Sequence, residues 1–553
     1  MAPRALRIAA VAVAAAAVAG CGRNATFVGY ACGRPPPLPV VQSNPWNCGE
    51  RCFADENIPN PPDALFTKAD GAAKPAIAYP LDGAVFPLNV GGFDLQWHRD
   101  VTQAYFRLLI KAVSDPARSY TLYVPCRHPP AIPVAPPDDQ CVYPLSRALW
   151  TSIAAENADG QVDLIITGTS AGATTMADSP VVRVAFAPAS VHGGIYYWSS
   201  DGQGLFRAVL GGGPAQAFLR PPMLQQFPCG GCHSVSHDGR MLAFSGEKNA
   251  YTSFGTLVVA PVETPTVPVV GPANTTGGDG ATTSLNRDGS LVVVSAGTDA
   301  DPGHLIVRDT ATGAEVARRD PPPKTDDAAR FFFPEWSPDG RAIAATMTTS
   351  AVNPWSVTGG SIVVLPYSGG LGAPRVVVPE DDAGKLFHFY PTWSPDGAWI
   401  AFVSAPVPGA SYSNPQSRLR LVSQAGGRIY DLMAATQTIG GTSTYPKFAP
   451  VMQDQCDVLF LTFNSKIDYG FLVKNSTLAA PLPQLWMAAV DLRALPGGDP
   501  SRAPIWLPFQ QPQQTNLLGA WTERVVCTKQ ADCGDATSAT CDVTLGECVP
   551  TPP

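Results

Sequence analysis

Hydrophobic and polar residues alternate with a period of two along most of this chain, in short runs broken by turn residues. AIAYP (76–80), FDLQW (93–97), AYFRLLI (104–110), VDLIIT (162–167) and VVRVAF (181–186) follow this pattern. Such alternation turns one face of a strand toward a core and the other toward solvent, and no helical period in this stretch lasts long enough to compete. Beyond 190 the runs come in couples. Outer couples start at GGIYYWSS (193–200), GTLVVAPV (255–262), GHLIVRD (303–309), GSIVVLPY (360–367), RLRLVSQ (418–424) and QLWMAAVD (484–491), and inner couples lie at 232–245, 284–295, 333–346, 390–404 and 445–464.

The inner couples repeat one motif: HDGRMLAFS (237–245), RDGSLVVVS (287–295), PDGRAIAAT (338–346), PDGAWIAFV (395–403) and a degenerate YPKFAP (445–450). Asp-Gly begins at 238, 288, 339 and 396, a period near fifty residues. A sheet that small buries its faces only when neighbours stack on it, so the period predicts a β-propeller. Six outer couples face five inner ones. TNLLGAWTE (515–523) supplies the missing inner strand, and closing the ring on the blade opened near 195 removes exposed sheet edges. The expected fold is all-β: an immunoglobulin- or fibronectin-like sandwich over 75–190 with Trp97 and Trp150 as core aromatics, a six-bladed propeller over 193–525, and a short disulfide-rich tail over 526–553.

The N-terminus changes the compartment. Arg4 and Arg7 precede an apolar run from Ile8 to Ala19, and Val18-Ala19-Gly20-Cys21 follows. This resembles a bacterial lipobox, which implies lipidation of Cys21 and a membrane anchor; an ordinary cleaved signal is the alternative. Gly22, in place of the Asp that marks inner-membrane retention in lipoprotein families, favours the outer membrane. Residues 22–74, with RPPPLPV (34–40) and NIPNPPD (57–63), read as a semi-extended tether. Thirteen cysteines suit an oxidising compartment. Cys126 and Cys141 bracket a Pro-rich loop and are expected to pair. Cys527, Cys533, Cys541 and Cys548 fall within a tail too short to build a core without cross-links, with a metal knuckle as the alternative. A net charge of −8 with 37 Lys and Arg argues against nucleic acid as a partner.

FPEWSPDGRAIA (333–344) and YPTWSPDGAWIAF (390–402) resemble the repeats of TolB-type six-bladed propellers, a WD-repeat-like group. The resemblance spans roughly 195–525 and implies a periplasmic interaction platform with a central channel. It implies no reaction. The chain departs from it at His237 and Arg287, where Pro is expected. Propellers of this kind also precede the catalytic domain of prolyl-oligopeptidase-like peptidases, but only about thirty residues follow the last strand here.

Two motifs carry candidate chemistry. Cys229-Gly230-Gly231-Cys232-His233 has the spacing of a c-type haem attachment site, in which two thiols take the vinyl groups and the following His ligates the iron. Cys232 aligns with Phe333, Tyr390 and Tyr445, and His233 with Pro334, Pro391 and Pro446, which places the motif beside the channel. His388, three blades on, is then the first distal-ligand candidate, with Met223, Met241 and His237 behind it. A local Cys229–Cys232 disulfide or a redox Cys-x-x-Cys uses the same letters. Gly168-Thr169-Ser170-Ala171-Gly172 fits the nucleophile elbow, yet ATTMADSP leads into another strand where the elbow demands a helix, so a hairpin turn explains it. The sequence thus predicts no enzyme. It predicts an envelope-tethered lipoprotein that binds a protein, peptide or polymer on the propeller face and carries one haem c. The alternative is a c-type cytochrome for electron transfer or redox sensing.

Overall fold

The computed structural model describes residues 50–67, 73–129, 137–172, 175–201, 204–220, 229–247, 255–271, 280–298, 301–321, 329–349, 357, 359–380, 386–406, 411–412, 414–437, 442–450, 457–478, 480–534, 536 and 539–551. Cys21, Cys32, Cys48, Met223 and Cys456 lie outside them. No helix among the described residues is long and apolar enough to cross a membrane.

Six small antiparallel sheets make the propeller. Their inner strands are Asn516–Thr522, Cys229–Val235, Thr282–Leu285, Arg330–Trp336, Leu386–Trp393 and Thr444–Phe448, which touch one another in that order around a closed ring. Each blade then steps outward through one or more further strands, for example Ala342–Thr348, Ser361–Pro366 and Arg375–Val378 in blade four. Between inner and second strand the Asp-Gly turn is fixed the same way in blades two, four and five, with Asn286 in place of the serine in blade three. In blade four Ser337 Oγ donates to Asp339 Oδ1 at 2.6 Å, Asp339 Oδ1 accepts from Arg341 N at 3.0 Å, and Gly340 takes φ +68°. A Cβ at Gly340 would meet nothing within 4 Å, so the left-handed φ alone calls for glycine there.

Blade one is closed by the C-terminal strand: Asn516–Thr522 pairs antiparallel with Gly194–Ser199, Ile195 facing Trp521. Blades two and three hold the end of the closing strand. Arg287 pairs with Glu523 at 2.7 Å, and the His237 carbonyl accepts from Glu523 N at 2.7 Å and from Thr522 Oγ1 at 3.1 Å. Proline at 287 would forfeit the ion pair.

The N-terminal unit is a two-sheet sandwich. Its larger sheet runs Cys52–Ala54, Tyr120–Pro125, Gln103–Ala112, Gln161–Ser170, Val182–Phe186, Val85–Phe86, and its smaller sheet Ala76–Tyr79, Asp94–His98, Gln140–Pro144. Alternation works as expected: Phe106, Leu108 and Ile110 on one strand, and Val162, Leu164 and Ile166 on its neighbour, all face the core. Trp97 and Trp150 are fully buried.

Three features differ from the sequence reading. Trp150 sits on a helix, Arg147–Glu156, whose first turn is capped by Ser146 Oγ accepting from Leu149 N at 3.2 Å. The expected tether is not all tether: Cys52–Ala54 pairs in parallel with Thr121–Tyr123, and Phe66 packs on Tyr123 at 5.6 Å between ring centres. The third is the contact of the sandwich with the propeller, on which the sequence is silent. Tyr469, from blade six, stacks on Trp506 at 4.1 Å and meets Tyr79 of the sandwich edge-on at 4.7 Å. Asp94 N donates to Tyr469 Oη at 3.2 Å, Trp506 N to Tyr79 Oη at 3.0 Å, and Gln96 Oε1 accepts from Phe471 N at 2.9 Å. One continuous apolar core runs from the sandwich into blade six.

Cys126 is joined to Cys141, Cys527 to Cys541 and Cys533 to Cys548. The sulfurs of Cys527, Cys533 and Cys541 lie together, but as disulfides they offer no thiolate to a metal. Because sandwich and propeller share a core, calorimetry should show them unfolding in one transition. Tyr469→Ala should cost about 3 kcal/mol and split that transition in two; two transitions in the unaltered protein would contradict the shared core.

Candidate functional site

The inner strands do not run straight past the channel. Cys232, Phe333, Tyr390, Tyr445 and Leu518 occupy equivalent places in five blades, and all five have left-handed φ, from 49° to 56°. Each coincides with a slip in register against the second strand. Non-glycine residues enter this region at a cost of about 1 kcal/mol or more, so the fold imposes it. The bulge pushes the side chain onto the axis: Phe333 packs on Tyr390 at 4.3 Å, and Tyr390 on Tyr445 at 4.3 Å. These rings, with Cys232 beside them, lie next along the axis to a pocket lined by the residues that follow them on the inner strands.

Two residues further on, each strand contributes one side chain to a polar layer: Ser234, Ser284, Glu335, Thr392 and Lys447, with Ala520 in the sixth place. Lys447 Nζ of blade six bonds Glu335 Oε2 of blade four. Ser234 Oγ meets Thr283 Oγ1 at 3.1 Å, and Thr283 Oγ1 donates to the Cys232 carbonyl at 2.9 Å. Above them Trp336, Trp393, Phe448 and Trp521 form the wall, and Pro338, Pro395 and Pro450 carry the pocket to the Asp-Gly turn face. The enclosed volume is about 50 Å³.

His233 lines this pocket. Its Nε2 lies 3.0 Å from the Tyr196 carbonyl of blade one, which can only accept, so Nε2 carries the proton. Nδ1 is then a bare acceptor, and it has no hydrogen-bond partner among the described residues. Burial pushes the imidazole down to about 4; the Tyr196 carbonyl opposes this and the Lys447 charge adds to it. Burial, with the charges of Arg287 and Lys447, holds His237 at about 4 as well.

The residues of the haem expectation lie on an inner strand of blade two. Cys229, Gly230 and Gly231 are paired strand, opposite Glu247, Gly246 and Ser245, and three extended residues span about 10 Å. A Cys229–Cys232 disulfide meets an obstacle in that span, since bridged Cα atoms lie within about 7 Å; the Cys229 side chain itself lies outside the described residues. His233 Nε2 is committed to Tyr196, and small-molecule sites need about 300 Å³ or more. Nor does His388 face the channel. Its Nδ1 lies 2.8 Å from Ser404 Oγ and its ring meets Phe402 edge-on at 5.5 Å, in the core between blades four and five. The bulge at Tyr390 reverses the alternation that would have put His388 on the axis.

Ser170 ends an antiparallel strand whose residues 168 and 169 pair with Phe106 and Tyr105 and with Ala177 and Met176. A nucleophile elbow needs a strand-to-helix turn in a parallel sheet, which this hairpin is not. Of the other histidines set aside, His98 pairs with Asp139 at 3.0 Å and His304 with Asp320 at 2.7 Å. Glu335 and Lys447 were missed, although the signal was there: they are the variable residue of the repeated Pro-x-Trp/Phe.

No protein-family model matches this chain, and no curated protein matches it. Among solved structures, TolB from Acinetobacter baumannii is similar at 14% identity and a TM-score of 0.39, covering 65% of this chain and 79% of its own. A prolyl endopeptidase (14%, 0.34; 57% and 42%) and an oligogalacturonate lyase in complex with manganese (14%, 0.31; 52% and 68%) are similar as well. Overlaps this loose transfer no residue role or activity.

Two outcomes follow from the site. Protein exported in cells carrying the haem-attachment machinery should show no covalent haem on a denaturing gel; a haem band lost in Cys229→Ser would overturn the assignment of these residues to the strand. Second, His233 and His237 are held neutral, below their unfolded value near 6.5. Their contribution is therefore complete above pH 6.5 and lost as pH falls toward 4, by roughly 3 kcal/mol per histidine. Urea titrations from pH 8 to 4 should show that loss, and His237→Gln should reduce it.

Proposed function

We propose that this protein is an exported, lipid-anchored binding module of the bacterial envelope that takes a protein, peptide or polymer partner on the Asp-Gly turn face of its propeller. The observation that carries the reading is the axial pocket: all six blades line it, and its lining reaches Pro338 and Pro395 of the repeated turns. Concave sites with an apolar wall and a few placed polar groups are the usual form of a binding site. The lipobox at Cys21 supports anchorage, and Gly22 supports the outer membrane. Three disulfides suit an oxidising compartment. Nothing in the pocket supports the redox-carrier alternative.

A photo-cross-linking residue placed at Arg341, exposed on an Asp-Gly turn, should trap a discrete partner in intact cells. The same residue at Val316, exposed on an outer strand of blade three, should not. Lys447→Met should reduce trapping from position 341 several-fold. Equal trapping from both positions, or none from 341, would sink the assignment of this face.

A further inference from the structure

We propose that the axial pocket is a carbohydrate subsite, admitting the hydroxymethyl arm of an uncharged sugar. This rests on the reading of the turn face as the binding face, and it specifies the ligand class.

Three observations select the guest. The first is size: about 50 Å³ holds one or two water-sized groups, so a ligand inserts an arm and leaves its body at the mouth. The second is charge. Glu335 and Lys447 neutralise each other across the pocket, and both histidines are neutral, so an ionic arm would enter with no partner for its charge, at a cost burial makes large. The third is hydrogen bonding. His233 Nδ1 is a buried acceptor without a donor, and Trp336 Nε1 a buried donor without an acceptor, among the described residues. Orphans of this kind are uncommon and costly. A single hydroxyl both donates and accepts. It can give its proton to His233 Nδ1 and take one from Lys447 Nζ, while its methylene lies against the edges of Trp393, Trp521 and Phe448. A carboxylate cannot donate to Nδ1, and an ammonium would sit beside Lys447.

The test uses the full exported chain, titrated with methyl hexopyranosides of gluco, galacto, manno and 2-acetamido-2-deoxygluco configuration. Binding is read by tryptophan fluorescence and by saturation-transfer NMR. At least one should bind saturably in the millimolar range, its 6-deoxy analogue at least tenfold more weakly. Thr392→Val, and Glu335→Gln combined with Lys447→Met so that no charge is stranded in the layer, each checked for an unchanged melting temperature, should weaken the parent glycoside and leave its 6-deoxy analogue unaffected. Equal affinity for the glycoside and its 6-deoxy analogue would overturn the proposal. So would absence of binding to every sugar, or binding of a trialanine amide in their place. If sugars fail while Arg341 still traps a partner, the carbohydrate assignment falls and the binding face stands; if both fail, both readings fall.

Discussion

Ring closure is the constraint on which the rest of the structure depends. A propeller whose last blade did not meet its first would leave two long strand edges open, with unpaired backbone donors and acceptors along each. Here Asn516–Thr522 travels back more than three hundred residues to pair with Gly194–Ser199. The single strand that makes the ring is also the wall of the pocket, through Ala520 and Trp521. Blades two and three hold its end: Arg287, where the repeat favours proline, pairs with Glu523, and the His237 backbone carbonyl accepts from Glu523 N. His233 fastens blade two to blade one through the Tyr196 carbonyl. The irregular residues of the repeat are therefore concentrated at the seam, where a regular repeat has no contact to make.

The second constraint is the left-handed bulge in the inner strands. It sets the level at which the channel closes, because it turns Phe333, Tyr390 and Tyr445 onto the axis in one layer. It also decides the setting of CGGCH. The register that puts Cys232 at the bulge holds Cys229 to Gly231 in the sheet. A motif defined by spacing is only as good as the backbone beneath it: the same five letters on a helical turn would face one way, and on a strand they do not.

Much of the fold was legible because it repeats. The Asp-Gly period, the alternation of Gln103–Ala112 and Gln161–Ser170, and the return of the C-terminal strand all follow from local rules applied many times. What was not legible depends on single local events. The helix at Arg147–Glu156 carries a readable signature in Ser146, an Ala-rich run and Asn157-Ala-Asp-Gly160, yet one helix amid strands is outweighed when periods are judged over the whole stretch. Cys52–Ala54 is three residues in a Pro-rich segment, recruited by the neighbouring strand through parallel pairing that leaves no trace in its composition. In the site, alignment placed Cys232 and His233 at the right level of the channel. It misplaced His388, because counting residues back from Tyr390 assumes an alternation that the bulge has already broken.

The charged pair in the pocket shows how a repeat acquires a site. Propeller geometry delivers six equivalent positions to the axis, and hydroxyls or small side chains fill four of them without cost: Ser234, Ser284, Thr392 and Ala520. The remaining two, in blades four and six, hold Glu335 and Lys447. One charge alone in that layer would be stranded beside neutral His233 and the aromatic rings. Two opposite charges satisfy each other and still leave hydrogen-bonding capacity pointing along the axis. The rigidity needed to keep such a pair aligned comes from the rest of the molecule. Blade six, which supplies Lys447, is also the blade welded to the sandwich through Tyr469, Trp506 and Gln96. The N-terminal unit therefore braces the wall that carries the cation.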